Sequence, residues 1–345
     1  MSRARDFADL AGSADAGGLT GRNLIINGAM QIAQRGTSST LLQIRTCDRW
    51  KVQFSGDVTQ SQEDLSSSDT PYSFGFRKAL KLLNTGNADA AGTYTQAFQI
   101  IESQNVASSG WNYTSSSSSI TVQFWVKSSL AGTYTSFLRT NDGTSRSFSF
   151  DFVLAADTWK LVTVTVPGNS GLTFDNDTGA GLELFIVPYY GSQFTTSGHT
   201  DDAWQAYSGS DIAGDYAQNW KNTSSATFFI TGVQIEVGPV PTPFEHRSYG
   251  DELARCQRYY VENTVCSSQA DMDGANYMSA RGFFPVSMRA VPTISNMAIQ
   301  ASGNMNTGAT INSTQASTES VSLFSLASGA GNTFVYYNFD ASAEL

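Results

Sequence analysis

Charge is scarce in this chain: Asp, Glu, Lys and Arg make up 14% of its 345 residues, against roughly 25% in ordinary soluble domains. Histidine is scarcer still, with only His199 and His246. Three cysteines, Cys47, Cys256 and Cys266, are too few for a disulfide framework and too widely spaced for a zinc site. No apolar run approaches bilayer-spanning length, so no membrane insertion is expected. The opening MSRARDFADLAG has basic residues but no apolar stretch behind them, unlike a secretory signal. The expectation is a protein folded in a reducing cytoplasm that reaches the outside of a cell by lysis. The net charge of −10 argues against nucleic-acid binding, which needs a basic footprint to displace counterions. Nucleophile-elbow, H-E-x-x-H and P-loop spacings are missing as well, and helical periodicity is nearly absent before residue 248.

Ser, Thr, Gly, Asn and Gln take the place of charge, and aromatics reach 12%. Such a surface is neutral and hydrogen-bonding, suited to hydroxyl-rich polymers or to copies of the same protein. From Asn23 onward the chain reads as short strands separated by Gly, Ser, Asn and Asp clusters. In ITVQFWVK, Ile120, Val122, Phe124 and Val126 point one way; Thr121, Gln123, Trp125 and Lys127 point the other. RSFSFDFVL places Phe148, Phe150, Phe152 and Leu154 on one face, and WKLVTVTVPG groups Val162, Val164 and Val166. GLELFIVPYYG and ATFFITGVQIEVG are apolar on both faces, which predicts central strands covered on both sides. About ten such strands describe an all-β fold, an antiparallel sandwich of jelly-roll type.

Four segments follow: an arm over 1–22, the sandwich over 23–247, a connecting helix over 248–262 and a small β domain over 263–345. Pro239, Pro241 and Pro243 predict a stiff extended connection before the helix. The last domain is thin in apolar residues for independent folding, and pairing with neighbouring copies predicts a homo-oligomer. The Gly- and Asp-rich stretch 197–215 is long for a loop, and loops of that length are functional or mobile.

Candidate chemistry is sparse. Both histidines read as solvated loop side chains. Glu183 and Glu236 lie in otherwise apolar strands, where burial raises a carboxyl pKa, and form the best pair for glycoside hydrolysis. The competing reading gives each an ordinary polar partner, such as a neighbouring Arg. Asp175-Asn176-Asp177 and Asp201-Asp202 offer oxygen ligands for a structural calcium, or form turns; no other cofactor is expected. Aromatics give the clearer signal, because a flat ring stacks on the apolar face of a pyranose while amides bond its hydroxyls. Trp125 beside Gln123, the pair Tyr189-Tyr190, and Trp204 and Trp220 near Tyr207 and Tyr216 are the carbohydrate-binding candidates. The alternative for each is core or interface packing. Trp50, which leads into an apolar strand, reads as core.

NLIINGAMQIAQRG (23–36), DRW (48–50), FWVKSS (124–129), TWKLVTVTVPG (158–168), ITGVQIEVGPVPTPFEHRSYGDELARCQRYY (230–260) and FPVSMRAVPT (284–293) resemble a family of bacteriophage virion proteins of the tail-fibre or structural kind. The opening SRARDFADLAG resembles the start of phage fibres, which implies attachment to other virion proteins through Arg3, Arg5, Phe7 and Leu10. FWVK and VQIEVG also resemble jelly-roll carbohydrate-binding modules. The resemblance implies a virion component. The expectation built on it is a non-enzymatic fibre or spike, homotrimeric, on the virion tail or as a head or tail appendage, made in the host cytoplasm, with binding to bacterial surface glycan as a further step. The rivals are a decoration or connector subunit without a ligand, and a glycan depolymerase using a carboxylate pair.

Overall fold

A computed structural model describes residues 21–87, 90–274, 276–304 and 313–345. The attachment candidates Arg3, Arg5, Phe7 and Leu10 lie outside the described residues. The chain divides into two compact units between Tyr249 and Gly250.

The first unit has twelve strands: β1 (Ser38–Ser39), β2 (Lys51–Phe54), β3 (Val58–Asp64), β4 (Lys78–Asn84), β5 (Tyr94–Glu102), β6 (Ser119–Ser128), β7 (Gly132–Thr140), β8 (Arg146–Leu154), β9 (Lys160–Pro167), β10 (Ala180–Tyr190), β11 (Trp204–Ala206) and β12 (Thr227–Val237). They form two six-stranded antiparallel sheets, ordered β1-β3-β4-β12-β6-β9 and β11-β8-β7-β10-β5-β2. Non-consecutive neighbours such as β4-β12-β6 and β7-β10-β5 require chain crossings between the sheets, the mark of a jelly-roll sandwich. Alternation places the inward side chains. Ile120, Val122, Phe124 and Val126 of β6 and Phe148, Phe150, Phe152 and Leu154 of β8 are all buried in one core with Trp50 and Trp220. The two Gly-Thr-Tyr-Thr segments enter β5 and β7, but Tyr134 faces the core and Tyr94 lines the opposite face.

β10 and β12 are the central strands that their two-sided apolar pattern predicts, and Gly181–Tyr190 and Phe228, Ile230–Glu236 are buried. The outer face of β12 is covered by chain expected to be mere connection. The proline-rich segment 239–247 lies on this sheet: Gln123 donates to the Thr242 carbonyl at 2.8 Å, and the Glu245 amide donates to Gln234 at 2.8 Å. Phe244 packs edge-on against Phe76, with ring centroids 4.8 Å apart. A bulge at Gly232 (φ 63°) brings the backbone so close to Phe76 and Trp125 that a Cβ there would sit 2.7 Å from the Phe76 ring.

The segment 23–32 is tied to the same strand by buried amides. Asn23 accepts from the Ile25 and Ile235 amides, at 2.9 and 3.1 Å, and donates to the Val233 carbonyl. Asn27, fully buried at φ 57°, accepts from the Ile32 amide and donates to the Ile32 and Asp48 carbonyls. Trp50 donates its indole N–H to the Asn27 carbonyl at 3.1 Å. On the outer face of this sheet that Lys127 shares with Gln123 and Trp125, Asp69 accepts from Trp159 (2.7 Å), Lys127 (3.1 Å) and the Ser66 amide (3.0 Å). Burial of Asp69 opposes its ionisation, but these donors outweigh it and hold the carboxyl well below the usual carboxylate range.

In the second unit, helix Tyr249–Gln257 precedes β13 (Tyr260–Met272), β14 (Tyr277–Phe283), β15 (Thr293–Gly303), β16 (Ser313–Ala316), β17 (Ser320–Leu326) and β18 (Gly331–Ser342). The helix stops short of the expected residue 262 because Tyr259 and Tyr260 are buried and Tyr260 already pairs with Ser342. Two three-stranded sheets, β13-β18-β15 and β14-β17-β16, enclose a core that includes Cys266, Leu323, Tyr337 and Phe339. Val265, Tyr277 and Phe283 remain more than 60% exposed. All three cysteines are buried, and no disulfide forms among the described residues. Among the described residues no helix is long and apolar enough to cross a membrane.

Two outcomes test this account. Asn27→Ala removes three buried hydrogen bonds and puts a side chain without a local acceptor at positive φ. It is expected to lower stability by about 2–4 kcal/mol in chemical denaturation; a loss below about 1 kcal/mol would contradict the role given to this side chain. Because the folded pKa of Asp69 is depressed, its contribution is present above the ordinary carboxylate pKa and lost as pH falls below about 4. Asp69→Asn should therefore flatten the acid limb of the stability–pH curve while lowering stability at neutral pH.

Candidate functional site

The outer face of the second sheet is organised in cross-strand rows set by register. One row runs Lys51, Phe98, Phe185, Phe137 and Ser149 across β2, β5, β10, β7 and β8. The next runs Ile100, Glu183, Arg139, Ser147 and Gln205 across β5, β10, β7, β8 and β11. In the first row three phenyl rings stack in series: Phe98 on Phe185 at 4.5 Å and 16°, and Phe185 on Phe137 at 4.3 Å and 4°. In the second, Arg139 donates through Nε to Glu183. Its guanidinium lies 5.1 Å from the Phe185 ring and 4.9 Å from the Tyr207 ring. Burial disfavours the charge on Arg139, and the Glu183 carboxylate more than restores it, raising the Arg139 pKa.

The chain from Gly191 to Asp215 crosses this face. Asp202 donates its amide to the Ser149 carbonyl (2.8 Å), Tyr207 to Ser145 (3.0 Å) and Ile212 to Phe194 (3.0 Å). The Ser149 hydroxyl donates to the Ile212 carbonyl at 2.9 Å. The crossing leaves a cleft of about 480 Å³ open, floored by the phenyl row and walled by Tyr94, Tyr190, Phe194, Tyr207 and Ile212. Gln53, Gln96, Lys51, Arg139 and Glu183 bring polar atoms to it. Tyr190 bonds Gln96 through its hydroxyl, and burial pushes its phenol up. A smaller recess of about 350 Å³ is lined by Tyr189, Tyr190, Thr195, Asp215 and Tyr216.

Of the six aromatic and amide candidates read from sequence, Tyr190 alone lines the cleft. Tyr189 lines the recess, 5.8 Å edge-on from Tyr216. Trp220, expected as a stacking platform, is fully buried and donates to the Thr227 carbonyl, so it has no open face. Trp204 packs edge-on to Phe148 at 5.6 Å and donates to Pro167. Trp125 and Gln123 are buried on the outer face of the opposite sheet, under Phe74, Phe76 and Thr242. Two physical reasons act: Trp125 and Gln123 leave the core only to meet a second cover, whereas Trp220 turns into the main core and Trp204 packs against it.

The carboxylates are also separated. Glu183 faces outward from the second sheet beside Arg139. Glu236 faces outward from the first, accepting from Thr242 and Gln234 and lying 3.4 Å from Arg22 Nε. The whole core lies between them, so they do not form a pair. Asp177 caps the Gly179 amide within its own turn. Among the described residues no three His, Cys, Asp or Glu side chains gather as a metal site.

His199 departs from its expected solvated state. Its side chain is 2% exposed, with Nδ1 2.8 Å from the Asp211 carboxylate and Nε2 3.7 Å from Asp201. Nε2 and Asp201 Oδ1 are both buried without a hydrogen-bond partner among the described residues. Burial, and then the charges of Asp151 and Asp202 against the opposing pull of His199, push the Asp201 carboxyl up to about 6.

The sequence signal of the cleft lies in phenylalanines rather than tryptophans, in YTQAFQIIE and TSFLRT: Phe98 shares a face with Tyr94 and Gln96, and Phe137 shares one with Arg139.

No family model matches the chain, and no curated protein matches it. Among solved structures the chain is similar to the CBM22-1–GH10 modules of Clostridium thermocellum endo-1,4-beta-D-xylanase 10B, complexed with xylohexaose. That match has 9% identity and a TM-score of 0.30, and covers 62% of this chain and 30% of that one. The N-terminal cellulose-binding domain of Cellulomonas fimi beta-1,4-glucanase C matches at 8% identity and a TM-score of 0.31, over 61% and 99%. A cyclase from Fischerella sp. TAU matches at 8% and 0.33, over 59% and 89%. At such scores these likenesses carry no argument about function. The strand order itself defines the class: a jelly-roll sandwich with a cleft on one outer face.

A raised folded pKa means that Asp201 contributes stability below about pH 4 and loses it as pH rises through about 6. Asp201→Asn should raise the melting temperature at pH 7.5 and leave it nearly unchanged at pH 4. An equal shift at both values would contradict the burial of this carboxyl.

Proposed function

We propose that this chain is a bacteriophage fibre or spike protein that binds bacterial surface glycan in the cleft over the phenyl row. The single observation that carries the binding step is the cleft's composition. A rigid aromatic floor is ringed by amide, guanidinium, ammonium and carboxylate groups, the mixture that satisfies both the apolar face and the hydroxyls of a sugar. The virion assignment is supported by the segments that resemble phage virion proteins. It places the protein on the particle, attached to other virion proteins through the N-terminal arm and trimeric through exposed side chains of the second unit such as Tyr277 and Phe283. Many weak cleft contacts on one particle then act together as effective concentration.

Binding rather than hydrolysis is favoured because Glu183 and Glu236 project from opposite sides of the sandwich. A calcium ion is not needed for this reading.

The test uses the full-length chain on an array of lipopolysaccharides, capsules and plant and algal polysaccharides, beside sedimentation for its oligomeric state. Tyr207→Ala removes a cleft wall without opening the core and should weaken the best ligand by about tenfold or more, with an unchanged melting temperature. A folded trimer that binds nothing on the array points instead to a decoration or connector subunit. A monomer removes the trimer.

A further inference from the structure

We infer that Lys221 and Asn84 join in an intramolecular amide: the ε-amine of Lys221 displaces ammonia from the Asn84 carboxamide and leaves a covalent cross-link inside the first unit. Asn84 ends β4, and Lys221 lies in the turn before β12, the strand paired with β4. Both residues are fully buried, and Lys221 Nζ stands 3.3 Å from Asn84 Oδ1.

The surroundings of Lys221 favour the amine over the ammonium. A buried ammonium needs a carboxylate beside it, and among the described residues none lies within ion-pair distance of Nζ. Its two acceptors, the Asn84 amide oxygen at 3.3 Å and the Asp57 carbonyl at 3.4 Å, are both distant for hydrogen bonds. Burial lowers the Lys221 pKa, against the pull of the Asp57 charge. The uncharged amine is the nucleophilic form.

Asn84 is held as the partner that loses ammonia. Its Nδ2 carries two N–H groups, yet three carbonyls converge on it: those of Trp220 (3.2 Å), Lys221 (2.9 Å) and Thr223 (2.9 Å). That is one acceptor more than the amide has hydrogens, and it matches the three that this nitrogen carries as departing ammonia. The same bonds fix which end of the carboxamide meets Lys221: the oxygen, and Cγ one bond behind it. Backbone bonds hold the two segments together, from the Asn84 amide to Ala226 (2.9 Å) and from the Ser225 amide to Asn84 (3.0 Å). Reactants fixed in contact need no further loss of translational freedom to react. In the step, Nζ bonds to Cγ, the Cγ–Nδ2 bond breaks, one Nζ proton passes to Nδ2, and ammonia leaves. Nothing is oxidised or reduced. The new bond joins positions 137 apart and restricts the unfolded chain as a long-loop disulfide does, in a chain with no disulfide among its described residues.

The test is the intact mass of the full-length folded chain, measured by mass spectrometry when freshly purified and after prolonged incubation. Allowing for the initiator methionine, it should fall short of the sequence mass by one ammonia. Proteolysis should then release a joined peptide that contains both Asn84 and Lys221. A succinimide at Asn27-Gly28 loses the same mass but yields no joined peptide. Lys221→Met keeps an unbranched stem in the buried site and should show the full mass with a cooperative melting transition.

The full sequence mass in the folded wild type, after incubation as before it, overturns the cross-link. So does a loss of ammonia without a joined peptide, or one that persists in Lys221→Met. The wild-type mass and peptide are decisive by themselves, whether or not the variant folds.

Discussion

Strand β10 is buried from Gly181 to Tyr190, and a strand with no side chain in water needs a cover on each face. The facing sheet is one cover. It is supplied by the core that holds Leu182, Leu184 and Ile186. The other has to come from outside the sandwich, because Phe185 and its neighbours Phe98 and Phe137 present three rings that water would otherwise wet. The chain from Gly191 to Asp215 provides it, held down by backbone bonds to Ser145 and Ser149. That cover is incomplete over β5 and β2, and the gap is the cleft. The candidate site is thus a consequence of how a doubly buried strand is closed.

The opposite sheet shows the same requirement met in full. β12 is covered by the segment 23–32, by Phe74 and Phe76, and by the strap 239–247, and the seams are sealed by buried amides and carboxylates. Asn23 and Asn27 satisfy backbone groups that strand pairing cannot reach. Glu236 and Glu245 do the same for Thr242 and Asn23. Leaving such groups unpaired costs more than forming the bonds gains, which is why polar residues occupy these buried seams. None of the residues that seal these seams lines the cleft, so the scaffold and the candidate ligand chemistry sit on different residues.

Much of the scaffold could be read from residue order. Period-two alternation in β6 and β8 assigned core faces correctly, the two-sided apolar segments became central strands, and Trp50 was placed in the core. What stayed hidden depends on long-range covering. Alternation tells which side chains leave the core but not whether the far side is solvent, so Trp125 and Gln123 looked exposed. Trp204 and Trp220 sat in a polar stretch whose backbone folds back onto the sandwich edge, carrying both rings inward. A proline-rich strap read as a connection because its rigidity shows in sequence while its bonds to Gln123 and Gln234 do not. Glu183 and Glu236 were legible as unusual one at a time; their separation depends on sheet order, which no local pattern contains. Arg139 carries no motif at all, and its meaning appears only when register sets it between Glu183 and Ser147.

The cleft joins two kinds of structure with different mechanical character. Its floor is a row of stacked rings on the central strands β5, β10 and β7, fixed by ladder hydrogen bonds and by a packed core beneath. Its wall is a loop held by a few backbone bonds and by the buried His199 between Asp201 and Asp211. Segments held by few bonds open at lower free-energy cost than core strands. A ligand therefore meets a preformed floor that loses little entropy, and a wall that can adjust to different ring substituents. Arg139 belongs to the floor by its strand and to the wall by its contact with Tyr207. A change in the wall is thus felt at the one guanidinium that the floor keeps charged.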